Sequence, residues 1–234
     1  MEHKEHIVIL SGAGISAESG VSTFRDAGGL WEGHDILEVA SPQGWERDPE
    51  LVLDFYNKRR AQLLTVDPNP AHRALVELEE RYEVTVVTQN VDDLHERAGS
   101  GRILHLHGEL LKARSTKNPR LIYPWTRDLR LGDRCEEGSQ LRPHVVWFGE
   151  TVPMLEVAAQ AVSTADRVLI IGTSMQVYPA AGLVGFAPPH TPVHYIDPRP
   201  HINYELRRAF ELEVIEEKAS AGVRQVVESL MKED

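Results

Sequence analysis

The chain has 234 residues, 41% of them hydrophobic and 26% charged, the length and composition of one large folded domain. Its formal net charge of −11 excludes the non-specific nucleic-acid binding in which Lys and Arg neutralise phosphates, while leaving room for a local basic patch. A single cysteine, Cys135, excludes an internal disulfide and a four-cysteine zinc site, and no apolar run reaches the length of a signal segment or membrane span. The expectation is a cytoplasmic monomer with neither nucleic acid nor membrane as direct partner.

In chain order, IVIL (7–10) predicts a first strand, which runs into the turn SGAGISAESG (11–20). PELVLDFYNKRRAQLL (49–64) predicts a helix with Asp48 as N-cap and Pro49 in the first turn. PAHRALVELEERY (70–82) predicts a second helix, with Leu75, Leu78 and Tyr82 at three-to-four spacing. VTVVT (84–88), ILHLH (103–107), VVWF (145–148), RVLIIG (167–172) and VHYI (193–196) read as further strands. MLEVAAQAVSTA (154–165) and GVRQVVESLMKE (222–233) read as helices. Short β-branched runs bounded by polar turns suit strands buried on both faces of a parallel sheet. Strands alternating with helices predict an α/β fold, a Rossmann-like parallel sheet with helices on both faces.

Residues 21–48 and 112–142 lack this rhythm, and long aperiodic stretches are usually functional or form a small module. The expected organisation is a single domain over 1–234. Its large lobe would comprise about 1–20, 84–111 and 143–234, and a small lobe would be drawn from part of 21–83 and from 112–142.

The first strand leads into Gly12, Gly14 and Ala17, a G-x-G-x-x-A pattern. Gly12 suits a tight turn, Gly14 a close backbone approach to a pyrophosphate, and Ala17 close packing of the next helix, with Ser11 and Ser16 adding hydroxyls. A tight turn without a ligand is the competing reading. The acid that ends the second strand of an ordinary dinucleotide fold is missing, because Glu32 and Asp35 fall in a loop. That loop carries Phe24, Arg25 and Asp26, an aromatic and charged set suited to a lid. Further on, ILHLHGEL (103–110) holds His105 and His107, which share a face if the run is a strand. A metal pair, a base with a bystander, and two packed side chains all remain open for them.

Five segments, GAGISAESGVSTFRD, TQNVDDLHERAG (88–99), HLHGEL (105–110), VVWFGE (145–150) and GTSMQVYPAAGL (172–183), together resemble the sirtuins, the NAD-dependent protein lysine deacylases. The resemblance implies NAD as co-substrate, held between a Rossmann-like lobe and a small lobe. The acyl oxygen of an acyl-lysine would attack the nicotinamide ribose. A histidine base would then help a ribose hydroxyl attack the resulting imidate, leaving free lysine, nicotinamide and O-acyl-ADP-ribose.

By resemblance, His107 is the base, a role its near-neutral reference pKa suits, and Asn90 acts with it. Gly12, Ala13, Gly14, Ser16, Phe24, Arg25, Asp26 and Trp31 would contact NAD. Gln89, Asn90, Val91 and Asp92 would form the ribose and nicotinamide pocket. Gly172, Thr173 and Ser174 would touch the adenosine ribose and phosphates, and Tyr195, Ile196, Asp197 and Ala219 would lie near the adenosine. Tyr195 departs from the Asn of many family members. Val146, Phe148, Gly149, Glu150 and Val177 would meet the substrate backbone as an added strand. On this reading His105 is a supporting residue.

Tyr56 and Arg59, three residues apart on the helix over 49–64, share a face. A hydroxyl beside a two-pronged guanidinium can clamp a carboxylate, and the pair resembles the Tyr-x-x-Arg of desuccinylating sirtuins, with Ala40 leaving the pocket room. A solvated Arg59 beside a core Tyr56 is the alternative. The expected substrates are acyl-lysine proteins or peptides carrying succinyl, malonyl or acetyl groups. The alternatives are a sirtuin-like mono-ADP-ribosyltransferase and a non-catalytic NAD or ADP-ribose sensor. Where most sirtuins carry four zinc cysteines, KARSTKNPR and GDRCEEGSQ offer Cys135 alone. Zinc is therefore expected to be absent, with Ile122, Tyr123, Trp125 and Leu129 packing in its place.

Overall fold

The computed structural model describes residues 4–22, 30, 31, 33–209 and 211–233. Phe24, Arg25, Asp26 and the side chain of Trp31, expected at the cofactor, lie outside the described residues.

In chain order the elements begin with β1 (His6–Ser11), α1 (Ala13–Ser16), β2 (Leu30–Trp31), β3 (His34–Asp35), α2 (Ile36–Val39), α3 (Pro42–Arg47) and α4 (Pro49–Leu63). They continue through α5 (Pro70–Glu77), β4 (Glu83–Thr88), α6 (Leu94–Ala98), β5 (Ile103–His105), β6 (Gly108–Ser115), β7 (Ile122–Pro124) and β8 (Leu141–Val145). The chain closes with α7 (Leu155–Val162), β9 (Arg167–Ile171), β10 (Pro192–Ile196), β11 (Glu211–Ile215) and α8 (Ala219–Leu230).

Six strands form one sheet in the order β11-β10-β9-β1-β4-β5, and every neighbouring pair is parallel. The alternation along β1 feeds two cores. Ile7 and Ile9 pack with α5 and α8, through Leu75, Val223 and Val227. Val8 and Leu10 face the other way, toward Ala158 and Val162 of α7 and Leu183. This two-sided burial makes the doubly wound, Rossmann-like fold. From β1 the order runs outward to β4 and β5 on one side and to β9, β10 and β11 on the other. The crevice at the carboxyl ends of β1 and β9 is thus the topological switch point, where such sheets bind ligands.

A second, antiparallel sheet has the order β7-β6-β8. It packs on α2 and α4, with Val39, Val52, Phe55 and Tyr56 against Leu110, Val145 and Trp147. Asp48 caps α4 by accepting from Leu51 N (3.0 Å). Leu53 of α4 packs with Ala113, Leu129, Cys135 and Leu141 in a further cluster, and Tyr123 and Trp125 pack against it.

Several sequence expectations are corrected. VVWF is not a strand of the parallel sheet: β8 ends at Val145 and belongs to the antiparallel one. The sixth parallel strand is instead β11, whose sequence ELEVI is largely exposed at the sheet edge. Residues 112–142 are not irregular, since they carry the second half of β6, all of β7 and the start of β8. The stretch 21–48 holds the β2–β3 hairpin and helices α2 and α3. The helix expected over 70–82 ends at Glu77 and tightens into a 3₁₀ turn over Leu78–Glu80. Ile122 is 41% exposed and takes no part in the Leu129 cluster.

Candidate functional site

A cavity of about 610 Å³ opens at the switch point and extends to the antiparallel sheet. Gly12, Ala13, Gly14 and Ala17 line it together with Gly172, Thr173 and Ser174. These loops interlock. Gly12 N donates to Ile171 O (3.0 Å) and Gly14 N to Gly172 O (2.8 Å). A Cβ on Gly14 would lie 2.6 Å from Gly172 Cα, and one on Gly172, which sits at φ +61°, would collide with Ile15 N. The glycines are needed first because two loops touch. The helix expected to follow is the single turn α1, then a 3₁₀ turn over Ala17–Ser19 closed by Gly20 at φ +95°.

The loop after β4 is stitched across this floor. Gln89 Nε2 donates to Thr173 Oγ1 (2.9 Å), and Asn90 Nδ2 donates to Gly12 O (3.2 Å) and Ser16 Oγ (3.1 Å). The Ser16 hydroxyl donates to Asp92 Oδ2 (2.9 Å). Gln89, Asn90, Val91 and Asp92 all line the cavity. Ser16, expected at the cofactor, does not: it is fully buried behind the wall as a strut for Asn90 and Asp92. Burial raises the Asp92 pKa, against the lowering effect of hydrogen bonds from Leu94 N and Ser16.

The two histidines are not equivalent. His107 Nδ1 lies 3.0 Å from Gln89 O, and a carbonyl only accepts, so Nδ1 carries the proton and Nε2 keeps its lone pair. No described residue hydrogen-bonds Nε2, and burial lowers the His107 pKa against a smaller raising effect of that bond. His107 lines the cavity as a neutral imidazole. His105 pairs Nδ1 with Asn90 O (3.1 Å) and Nε2 with Glu96 Oε1 (2.6 Å). Burial works to lower its pKa, but the bond and charge of Glu96, together with the Asn90 carbonyl and Glu109, outweigh it and the net shift is upward. His105 is thus tied to Glu96 and to the Asn90 carbonyl, outside the cavity.

The metal pair is not what the fold assembles. Among the described residues, ligand atoms of Glu96, His105 and Glu109 converge within 4.8 Å, without His107. His105 there is committed to Glu96, and Lys112 Nζ binds Glu109 Oε2 at 2.7 Å. Gly108 makes the separation of the histidines possible. Its φ is +80°, a Cβ would collide with His144 O, and the chain turns there from the parallel to the antiparallel sheet.

At the far end of the cavity stand Ala40, Tyr56 and Arg59. Arg59 is 8% exposed, which removes the alternative of a solvated side chain. Tyr56 is fully buried, its oxygen accepts from Trp147 Nε1 (3.0 Å), and burial pushes its pKa up to about 12. Val146, Phe148, Gly149, Glu150 and Val177 also line the cavity. The N–H groups of Val146 and Phe148 are already used, on His107 O (2.9 Å) and Ala40 O (3.0 Å). The Glu150 carboxylate is committed to Arg142 (2.6 Å), Arg114 (3.1 Å) and Trp147 N (2.8 Å).

Of the residues expected near an adenosine, Ile196, Asp197 and Ala219 line the cavity. Tyr195 does not: it is buried in the second core and its hydroxyl donates to Thr173 O (2.8 Å), a support behind the wall. Sequence reasoning missed Arg199 and Lys218, which bring two cations to the same cavity. Their position after the ends of β10 and β11 was a usable signal, since loops at strand carboxyl ends form such sites. It also missed Trp147.

A profile of the Sir2 family matches residues 12–179. An NAD-dependent protein deacylase of Helicobacter pylori (strain J99) is 63% identical over 195 residues, 83% of each chain. One of Bacteroides thetaiotaomicron is 49% identical over 233 residues, 97% of this chain and 98% of that one. Among solved structures, a mutant Sir2 homologue in complex with ADP-ribose superposes with a TM-score of 0.87 at 36% identity, covering 99% of this chain and 95% of the other. A Sir2 protein bound to acetylated peptide gives a TM-score of 0.77 at 28% identity, covering 98% and 95%.

Proposed function

The chain belongs to the Sir2 family, and we propose that it removes acyl groups from lysine side chains of proteins or peptides with NAD as co-substrate, favouring succinyl and malonyl over acetyl. One observation carries the reading: the lone pair of neutral His107 and the Tyr56–Arg59 pair belong to the same cavity.

The residues present suit NAD. The N–H groups of Gly12, Gly14 and Gly172 are spent on Ile171 O, Gly172 O and Ile196 O, so the glycines give a pyrophosphate close backbone approach, while the Ser174 hydroxyl and the cations of Arg199 and Lys218 supply donors and positive charge. Asp197 and Ala219 stand at the adenosine end, and Asn90 and Asp92, braced by Ser16, at the ribose end. NAD, when bound, supplies a ribose carbon whose nicotinamide is a cationic leaving group.

The protein's own work is orientation, exclusion of water and proton transfer. His107 Nε2 takes a proton from a hydroxyl brought against it, and Nδ1–H on Gln89 O holds the ring in the basic tautomer. Burial keeps the ring neutral and ready to accept. Arg59 offers a guanidinium fork and Tyr56 a hydroxyl to an acyl carboxylate, with Ala40 leaving space for the chain.

Purified protein incubated with NAD and matched succinyl- and acetyl-lysine peptides tests this. The expected result is nicotinamide release that depends on acyl peptide, with the larger kcat/KM for the succinyl form and no turnover in His107→Ala. Nicotinamide release indifferent to acyl peptide would instead indicate NAD hydrolysis or ADP-ribosyl transfer.

A further inference from the structure

Trp147 lines the cavity beside Tyr56, and none of the roles above is assigned to it. It is buried and held on several sides. The Arg142 guanidinium lies 3.2 Å from the centroid of its ring, and Trp45 packs tilted with centroids 5.8 Å apart. Its backbone N–H donates to Glu150, which also binds Arg142 through both carboxylate oxygens (2.6 and 3.1 Å). Glu150 therefore fixes both the backbone of Trp147 and the cation on its face.

That fixed indole donates Nε1–H to the Tyr56 oxygen at 3.0 Å. An indole N–H only donates, so the Tyr56 oxygen accepts there and its own proton must point elsewhere. No described residue takes that proton, and Tyr56 lines the cavity with Arg59. We propose that Trp147 is a positioning residue that makes the Tyr56 hydroxyl an obligate donor to an anionic acyl terminus, with Glu150 and Arg142 holding the indole in register. The inference rests on the acidic-acyl reading of the cavity. The high pKa of Tyr56, about 12, keeps the hydroxyl protonated throughout the working range. Acyl selectivity is on this account set one shell behind the Tyr56–Arg59 pair.

The test compares one peptide carrying succinyl-lysine or acetyl-lysine. Trp147→Phe keeps an aromatic ring and removes the donor. The ratio of succinyl to acetyl kcat/KM is expected to fall about tenfold, mainly through KM, the scale of one misdirected hydrogen bond to a charged group. A benzothiophene isostere of tryptophan at position 147, with sulfur in place of N–H, preserves the shape and should reproduce that fall. In Tyr56→Phe, the further change Trp147→Phe should leave the ratio where Tyr56→Phe alone puts it, because the two act through one hydroxyl.

An unchanged ratio in the isostere, an equal loss on both peptides, or independent multiplication in the double variant would each overturn the role of Trp147. Equal use of the two peptides by the unmodified enzyme would overturn the acidic-acyl reading itself, and this inference with it. Succinyl preference retained by the isostere would overturn the inference alone.

Discussion

His72 is the sharpest test of how this fold answers acid. Its side chain is fully buried at the start of α5, neither ring nitrogen meets a partner among the described residues, and its ring stands edge-on to His95 at 5.0 Å. Burial lowers its pKa to about 4, with a smaller contribution from Arg73. A folded pKa depressed below the unfolded value of about 6.5 means that protonation favours the unfolded chain. The stabilising contribution is therefore full above about pH 6.5 and lost as pH falls through about 4. Over the whole window the loss amounts to about 3 kcal/mol, of which about 2 kcal/mol falls between pH 7 and pH 5. In His72→Phe that share disappears. Urea unfolding at pH 7 and pH 5 reads the difference as roughly 1 M less acid-induced shift in midpoint for the variant. A constant packing cost of Phe cancels, because only the pH dependence is compared. Equal acid shifts in the two proteins would refute the reasoning. The consequence reaches the site, because His95, whose pKa burial also lowers, binds Ser11 Oγ (3.0 Å) immediately before the glycine loop.

Arg59→Met should reduce succinyl kcat/KM by roughly 10- to 100-fold relative to acetyl, the scale of a lost charge-assisted hydrogen bond; equal loss on both peptides would contradict the acyl-reading role. Because burial lowers the His107 pKa, the acidic limb of kcat/KM should lie below pH 6.5, with activity present above that limb and lost as pH falls through it. A limb at or above pH 7 would mean that another group is the base. Gly14→Ala should lower the thermal midpoint and weaken NAD binding together, since its Cβ has no room against Gly172; calorimetry showing unchanged melting and affinity would deny the interlock.

The central strands were legible because β1, β9 and β10 are β-branched runs buried on both faces. β11 was not, because its Glu211 and Glu213 belong to an exposed edge. β6 was hidden for a similar reason: Glu109, Lys112 and Arg114 interrupt its apolar pattern while pairing with Lys112, Glu109 and Glu150. VVWF looked like a buried strand because Trp147 is buried, but that burial comes from Tyr56, Trp45 and Arg142. The cavity wall was legible as motifs, whereas its depth was not. Ser16 and Tyr195 each carry a hydroxyl that sequence places near the ligand, yet both point to supports behind the wall. The basic run around Arg59 left a solvated side chain open as the alternative, and only the packing of the antiparallel sheet on α4 reveals its burial.

His107 and His105 hold two consecutive carbonyls, those of Gln89 and Asn90. The His107 ring and the Asn90 amide, both lining the cavity, therefore share one mount. Thermal drift of that loop carries both groups together and leaves their mutual alignment intact. The aim of His107 depends on fewer independent coordinates than its place at the junction of two sheets suggests, and a substitution beneath either carbonyl would shift His107 and Asn90 as a single error.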